Sequence, residues 1–153
     1  MNQEHFKEIC EATSFSLGHE PLLDDERYSF SIDNVEVVLA FDATHDPDSI
    51  ACYIDLGVVS PDDKARVCEQ LLELNLKEHS AYGGGYAFDI GMSRAIFCTH
   101  LLDADVLDGE YIADALRTHV ENTEAARRMV ADPLDCEASP LEEGGDLFMA
   151  AMA

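Results

Sequence analysis

Between Gln70 and Leu102 the hydrophobic period of the chain changes from about 3.6 to about 2 across three consecutive glycines. The stretch QLLELNLKEHSAYGGGYAFDIGMSRAIFCTHLL reads as the end of an apolar helix, a break at Gly83–Gly85, and two amphipathic strands. Helix and strand are thereby forced to be neighbours within one domain. The stretch carries little reactive chemistry. It carries packing surface, part of it expected to face a second copy of the chain.

The remaining pattern extends this reading in both directions. Phe6, Ile9, Cys10 and Thr13 line one face of a first helix over residues 3–14, and Gly18 suits its termination. A linker, HEPLLDDE, follows. Tyr28, Phe30 and Ile32 then alternate with polar residues, and Asp33-Asn34 supplies a tight turn. Val35, Val37, Leu39 and Phe41 share one face of the next strand, and Ile50, Cys52, Ile54 and Leu56 mark a third after the loop ATHDPD. Ser60-Pro61-Asp62-Asp63 starts the second helix, with Ser60 as cap and Pro61 at the first helical position. Its apolar residues occupy two neighbouring stripes, Ala65, Cys68 and Leu72 beside Val67, Leu71 and Leu74. Covering a sheet takes one stripe of about 100°, so a second apolar partner is expected. The strand 94–102 is apolar on both faces, which places it inside the sheet. A last helix, capped by Asp108, is expected to run to Val130, where Asp132-Pro133 stops it.

The order is α-β-β-β-α-β-β-α, an α+β fold with a twisted antiparallel sheet and helices packed on it. Residues 1–131 form the domain. Residues 132–153 hold six acids and no base and are expected to be a mobile tail.

Charge narrows the function. Against 32 acidic residues stand 9 basic ones, for a formal charge of -23. Nucleic-acid affinity rests on Lys and Arg neutralising phosphates, and anionic membranes attract the same residues. Both partners are excluded, and no membrane insertion is expected, because no apolar run approaches about 20 residues. The N-terminus lacks a basic region before an apolar core, so a cytoplasmic protein is expected. Four of the five cysteines lie in apolar patterns and read as reduced core thiols; Cys136 alone is expected to be exposed.

Catalytic patterns are weak. The six histidines form no H-x-x-x-H pair, and no C-x-x-C exists. Asp42, His45, Asp46 and Asp48 lack the glycine and terminal Glu of a calcium loop. The glycine run follows a helix and precedes a strand, the reverse of a phosphate loop. Cys98 and His100 share a strand face near Asp89, but a reactive thiol needs an electropositive, exposed setting; core packing is the reading here. No catalytic, cofactor or metal site is assigned. What remains is apolar surface, read as a dimer seam and a groove for an extended partner.

Leu71-Leu72-Glu73-Leu74-Asn75-Leu76, then Gly83-Gly84-Gly85, a strand ending near Asp89, and Arg94-Ala95-Ile96-Phe97 stand in an order that resembles the class I chaperones of bacterial type III secretion, the Tir chaperone group. Leu101-Leu102 and a helix with Leu116, Val120 and Glu124 continue the likeness, which covers residues 1 to about 131. The resemblance implies a homodimer built by the second helix and the strand after the glycines, with Val67, Leu71, Leu72, Leu74, Leu76, Tyr86 and Phe88 at the interface. It implies that one or a few secreted effector proteins bind as extended chains, without ATP or metal. Phe6, Ile9, Phe15, Tyr28, Phe30, Val37 and Leu39 would contribute to the grooves. The secretion ATPase is a further partner the resemblance leaves open. Two alternatives belong to other classes: a small α+β enzyme or ligand-sensing module, and an acidic protein that sequesters a basic partner outside secretion.

Overall fold

The computed structural model describes residues 1–18, 22–24, 27–78 and 83–133. Its elements are α1 (Gln3–Leu17), β1 (Leu22–Asp24), β2 (Arg27–Ile32), β3 (Val35–Asp42), β4 (Asp46–Val58), α2 (Lys64–Glu78), β5 (Gly84–Asp89), β6 (Arg94–Leu102), α3 (Gly109–Asn122) and α4 (Glu124–Ala131), with a 3-10 turn at Ala104–Val106. The strands form one antiparallel sheet in the order β1-β2-β3-β4-β6-β5. The expected α+β architecture is present.

Local chemistry explains most boundaries. Asn2 caps α1 by accepting from the His5 N–H at 2.9 Å, and Gly18 closes it in the left-handed region at φ 75°. Asp33 and Asn34 both adopt positive φ in the β2–β3 hairpin. Asp108 caps α3 through the Tyr111 N–H at 2.8 Å.

Four expectations are corrected. The segment read as a linker contains β1, whose Leu22, Leu23 and Asp24 pair with Ser29, Tyr28 and Arg27. The loop ATHDPD is shorter than expected, since β4 already begins at Asp46. Ser60 does bind the Asp63 N–H, at 3.2 Å, but regular helix begins only at Lys64, after that turn. The last helix is two. Thr123 Oγ1 bonds back to the carbonyls of His119 and Val120, and the Arg127 guanidinium takes the Val120 carbonyl as well, so the ladder stops there.

The core lies between the sheet and the helices. Phe6, Val37, Leu39, Ile50, Cys52, Ile54, Ile112 and Leu116 are fully buried in it. Contacts of α1 with β2, α2 with β5 and α4 with β4 put the helices on this one face. Phe6 makes the centre, edge-on to Tyr28 at 5.6 Å and tilted against Phe41 at 5.5 Å. The acidic tail from residue 134, with Cys136, and the histidines at 19 and 79 lie outside the described residues.

Candidate interaction surfaces

Three surfaces outside the core could meet another chain. The first is the outward stripe of α2. Val67 and Leu71 are buried against the sheet and Leu74 is half-buried, whereas Leu72 is 68% and Leu76 74% exposed. The two stripes read in the sequence are thus real, and only the inner one is used by this chain.

The second is the outer face of the sheet, which no described helix covers. Its register sets Ser29, Val38, Tyr53 and Cys98 in one row and Asp55, Ile96 and Ala87 in another. Here the face forms a depression of about 600 Å³. Arg94 crosses it to make a bidentate ion pair with Asp55, with Nε to Oδ1 at 2.8 Å. That bond holds Arg94 firmly charged, its pKa raised further by Asp55. Arg27, Glu36 and Asp89 edge the same depression, and Met92 is exposed at its rim.

The third is the pair of sheet edges, β1 and β5. The glycines before β5 act through close packing. A Cβ on Gly84 would lie 2.4 Å from Phe97 Cζ and 2.6 Å from the Cys98 carbonyl, so only glycine lets β5 start this close to β6. Asn75 on α2 accepts from the Tyr86 N–H at 2.6 Å and donates to its carbonyl at 2.9 Å.

Placement of the residues named from the resemblance is mixed. Phe6, Ile9, Tyr28, Phe30, Val37 and Leu39 are all in the core of the single chain, so none offers surface to a partner in this conformation. Phe15 is 89% exposed. The strand residues of this set, implied by the resemblance, lie on the apolar phase that the helices cover. Val38, Tyr53 and Ile96, in the opposite phase, are the ones left accessible, and the sequence signal for them was a valine, a tyrosine and an isoleucine at positions that should be polar. In the seam set, Val67, Leu71 and Tyr86 are buried, Leu74 and Phe88 half-buried, and Leu72 and Leu76 exposed.

Catalytic groupings stay apart. Burial pushes the Cys52 thiol up to about 12 and raises those of Cys10 and Cys98 as well, away from reactive thiolate. Asp89 pairs with Arg94, while Cys98 sits opposite Gly85. His100 is exposed, not packed in the core as expected. Asp42 turns its carboxylate onto the N–H groups of Thr44 and His45 and onto the His45 ring at 2.8 Å, and the His45 N–H is the main cause of its lowered pKa. Among the described residues no group of His, Cys, Asp and Glu could hold a metal. No described helix is long and apolar enough to cross a membrane.

The chain is an α+β fold with one antiparallel sheet covered by helices on one face and apolar residues left exposed outside the core. The fold is similar to that of a chain in the ExsC–ExsE complex, with a TM-score of 0.64 and 20% identity over 85% of this chain and 96% of that one. It is also similar to a chain of the HopA1–SchA chaperone–effector complex, with a TM-score of 0.61 and 18% identity over 82% and 95%. The ExoT–SpcS complex from Pseudomonas aeruginosa gives 0.55 and 17% over 82% and 98%. No curated protein matches by sequence. The model of the Tir chaperone protein (CesT) family matches residues 11–127, and the chain belongs to that family.

Proposed function

We propose that the chain is an ATP-independent, homodimeric chaperone that holds the N-terminal segment of a type III secreted effector as an extended chain in the cytoplasm. The family match over residues 11–127 carries this reading. The physical logic agrees with it. An extended segment gains main-chain bonds at a sheet edge and side-chain pockets beside it, which gives affinity with modest sequence demand. Charge of -23 keeps the carrier soluble while its client is unfolded. The exposed stripe of Leu72 and Leu76 supports a seam between two copies, made by α2 and flanked by Phe88. Residues 1–131 serve as the chaperone body and residues 132–153 as an acidic appendage.

The test is capture from the native bacterium on tagged chain, followed by mass spectrometry and by deletion of the captured protein's N-terminal segment. The expected result is an exported protein whose binding vanishes with that segment. Recovery of metabolites only, or of a partner that is never exported, overturns the proposal.

A further inference from the structure

The two halves of α2 are held by different means. Apolar burial fixes the first half, where Val67 and Leu71 pack in the core. From Leu72 to Lys77 no side chain is fully buried, and Leu74 gives only a half-buried contact with the core. Few buried apolar contacts leave a helix end free to open locally. Yet this half carries Leu72 and Leu76, the exposed stripe. What anchors it is Asn75, whose side-chain amide donates to the Tyr86 carbonyl at 2.9 Å and accepts from the Tyr86 N–H at 2.6 Å. A donor and an acceptor directed at one residue fix a direction as well as a distance. At about 100° per residue, Asn75 falls between the inward direction of Leu71 and the outward direction of Leu72 and Leu76. The clamp therefore sets which way the stripe faces. At the other end of α2 the Lys64 ammonium stands 5.0 Å from the centroid of the Phe88 ring, so α2 and β5 are tied at two points.

We infer that Asn75 is a positioning residue for association of two copies: by clamping α2 to Tyr86 of the same chain, it holds Leu72 and Leu76 in a fixed direction beside Phe88. The role in association rests on the homodimeric reading; the clamp does not. The side chain is specific to the task. Aspartate accepts from the Tyr86 N–H but has nothing to donate to its carbonyl, and alanine offers neither bond. The leucines supply the apolar area of the seam, and Asn75 supplies its geometry before the copies meet. Ordering a surface in advance lowers the cost of binding. Loss of Asn75 therefore weakens association in a chain that is still folded.

Sedimentation velocity over a dilution series of the full chain, joined to hydrogen–deuterium exchange, tests this. Asn75→Ala keeps the circular dichroism of the unmodified chain, while its dimer dissociation constant rises by about tenfold, the equivalent of one well-made hydrogen bond. Asn75→Asp, which keeps one of the two bonds, gives an intermediate constant and carries the test should the alanine variant unfold. Exchange is read in the Leu72→Asp chain, where dissociation cannot contribute. Adding Asn75→Ala there speeds exchange at residues 72–77 and leaves residues 64–71 unchanged. Equal dissociation constants in the unmodified chain and both Asn75 variants overturn the role. Faster exchange spread evenly over the chain means a general loss of stability and overturns it as well. Weaker association with unchanged exchange at residues 72–77 makes Asn75 a contact, not a positioning residue, and also overturns it. An unmodified chain that is monomeric throughout the series overturns the homodimeric reading and takes this role with it. A tight dimer indifferent to Asn75 overturns the role alone.

Discussion

The two faces of β3 and β4 are made of adjacent residues with similar apolar character and opposite fates. Val37, Leu39, Cys52 and Ile54 have no solvent exposure; Val38, Ala40 and Ala51 are half-buried, and Tyr53 is 37% exposed. The difference comes from the helices, all of which lie over the first set. Apolar phase alone therefore does not tell function from core. A sheet that is apolar on both faces and covered on one has spent the covered face on stability. The other face, edged by Arg27, Glu36 and the Asp55–Arg94 pair, stays open to solvent.

The comparison breaks most easily on β3. Leu39→Ala leaves a cavity in the core, where Leu39 is fully buried, and is expected to cost about 2–5 kcal/mol in urea denaturation. Val38→Ala, one residue away, is expected to cost less than about 1 kcal/mol, with its effect appearing in client binding. Equal losses from the two would mean that the outer face is as tightly packed as the inner.

On α2 the same contrast is read by association. Leu71→Asp places an unpaired charge in the core and should not yield folded protein. Leu72→Asp, on the exposed stripe, should stay folded and sediment as a monomer, its melting temperature lowered by no more than the association it loses. A Leu72→Asp chain that remains a dimer removes α2 from the seam.

Much of this was legible in the sequence, and the parts that were not share a cause. The caps at Gly18 and Asp108, the Asp33-Asn34 turn, the interior place of β6 and both stripes of α2 follow from local pattern and turn chemistry. β1 was missed because three residues, Leu22 to Asp24, give no readable alternation. The break at Thr123 was missed because it depends on Arg127 reaching back to the Val120 carbonyl, seven residues upstream. The burial of the groove residues has a tertiary cause: periodicity finds the apolar phase of Phe30 or Leu39 but cannot say which phase a helix will cover. Asn75 shows the same limit. It reads as a polar gap in an apolar run, and its meaning appears only when Tyr86, eleven residues on, lies beside it.

A smaller effect is expected from the ion pair of the outer face. Asp55→Asn keeps an oxygen that can accept from the Gly57 N–H, which Asp55 Oδ1 now holds at 3.2 Å, but loses the charge opposite Arg94. Both partners are partly solvated, so the expected cost is about 1 kcal/mol or less, shrinking as salt is added. A larger, salt-independent loss would mean that the depression is drier than its exposure indicates.

The smallest effect expected is one of slope. His119 on α3 packs against the Phe97 ring at 6.0 Å, on the covered face, and its Nδ1 is buried without a hydrogen-bond partner among the described residues. Burial disfavours the imidazolium, so the pKa in the fold lies below the ordinary 6.5. The unfolded chain then takes up a proton that the fold refuses. Stability from this site is complete above 6.5, declines as the pH falls through that value, and levels off below the folded pKa. His119→Leu removes the refused proton. Denaturation midpoints compared between about pH 7.5 and about pH 5.5 should therefore fall less steeply in the variant than in the unmodified chain. Every other titratable group is common to both proteins, so the difference between the two slopes isolates the histidine. Identical slopes would mean that the ring reaches water when protonated, and that the covered face is looser at α3 than along β3 and β4.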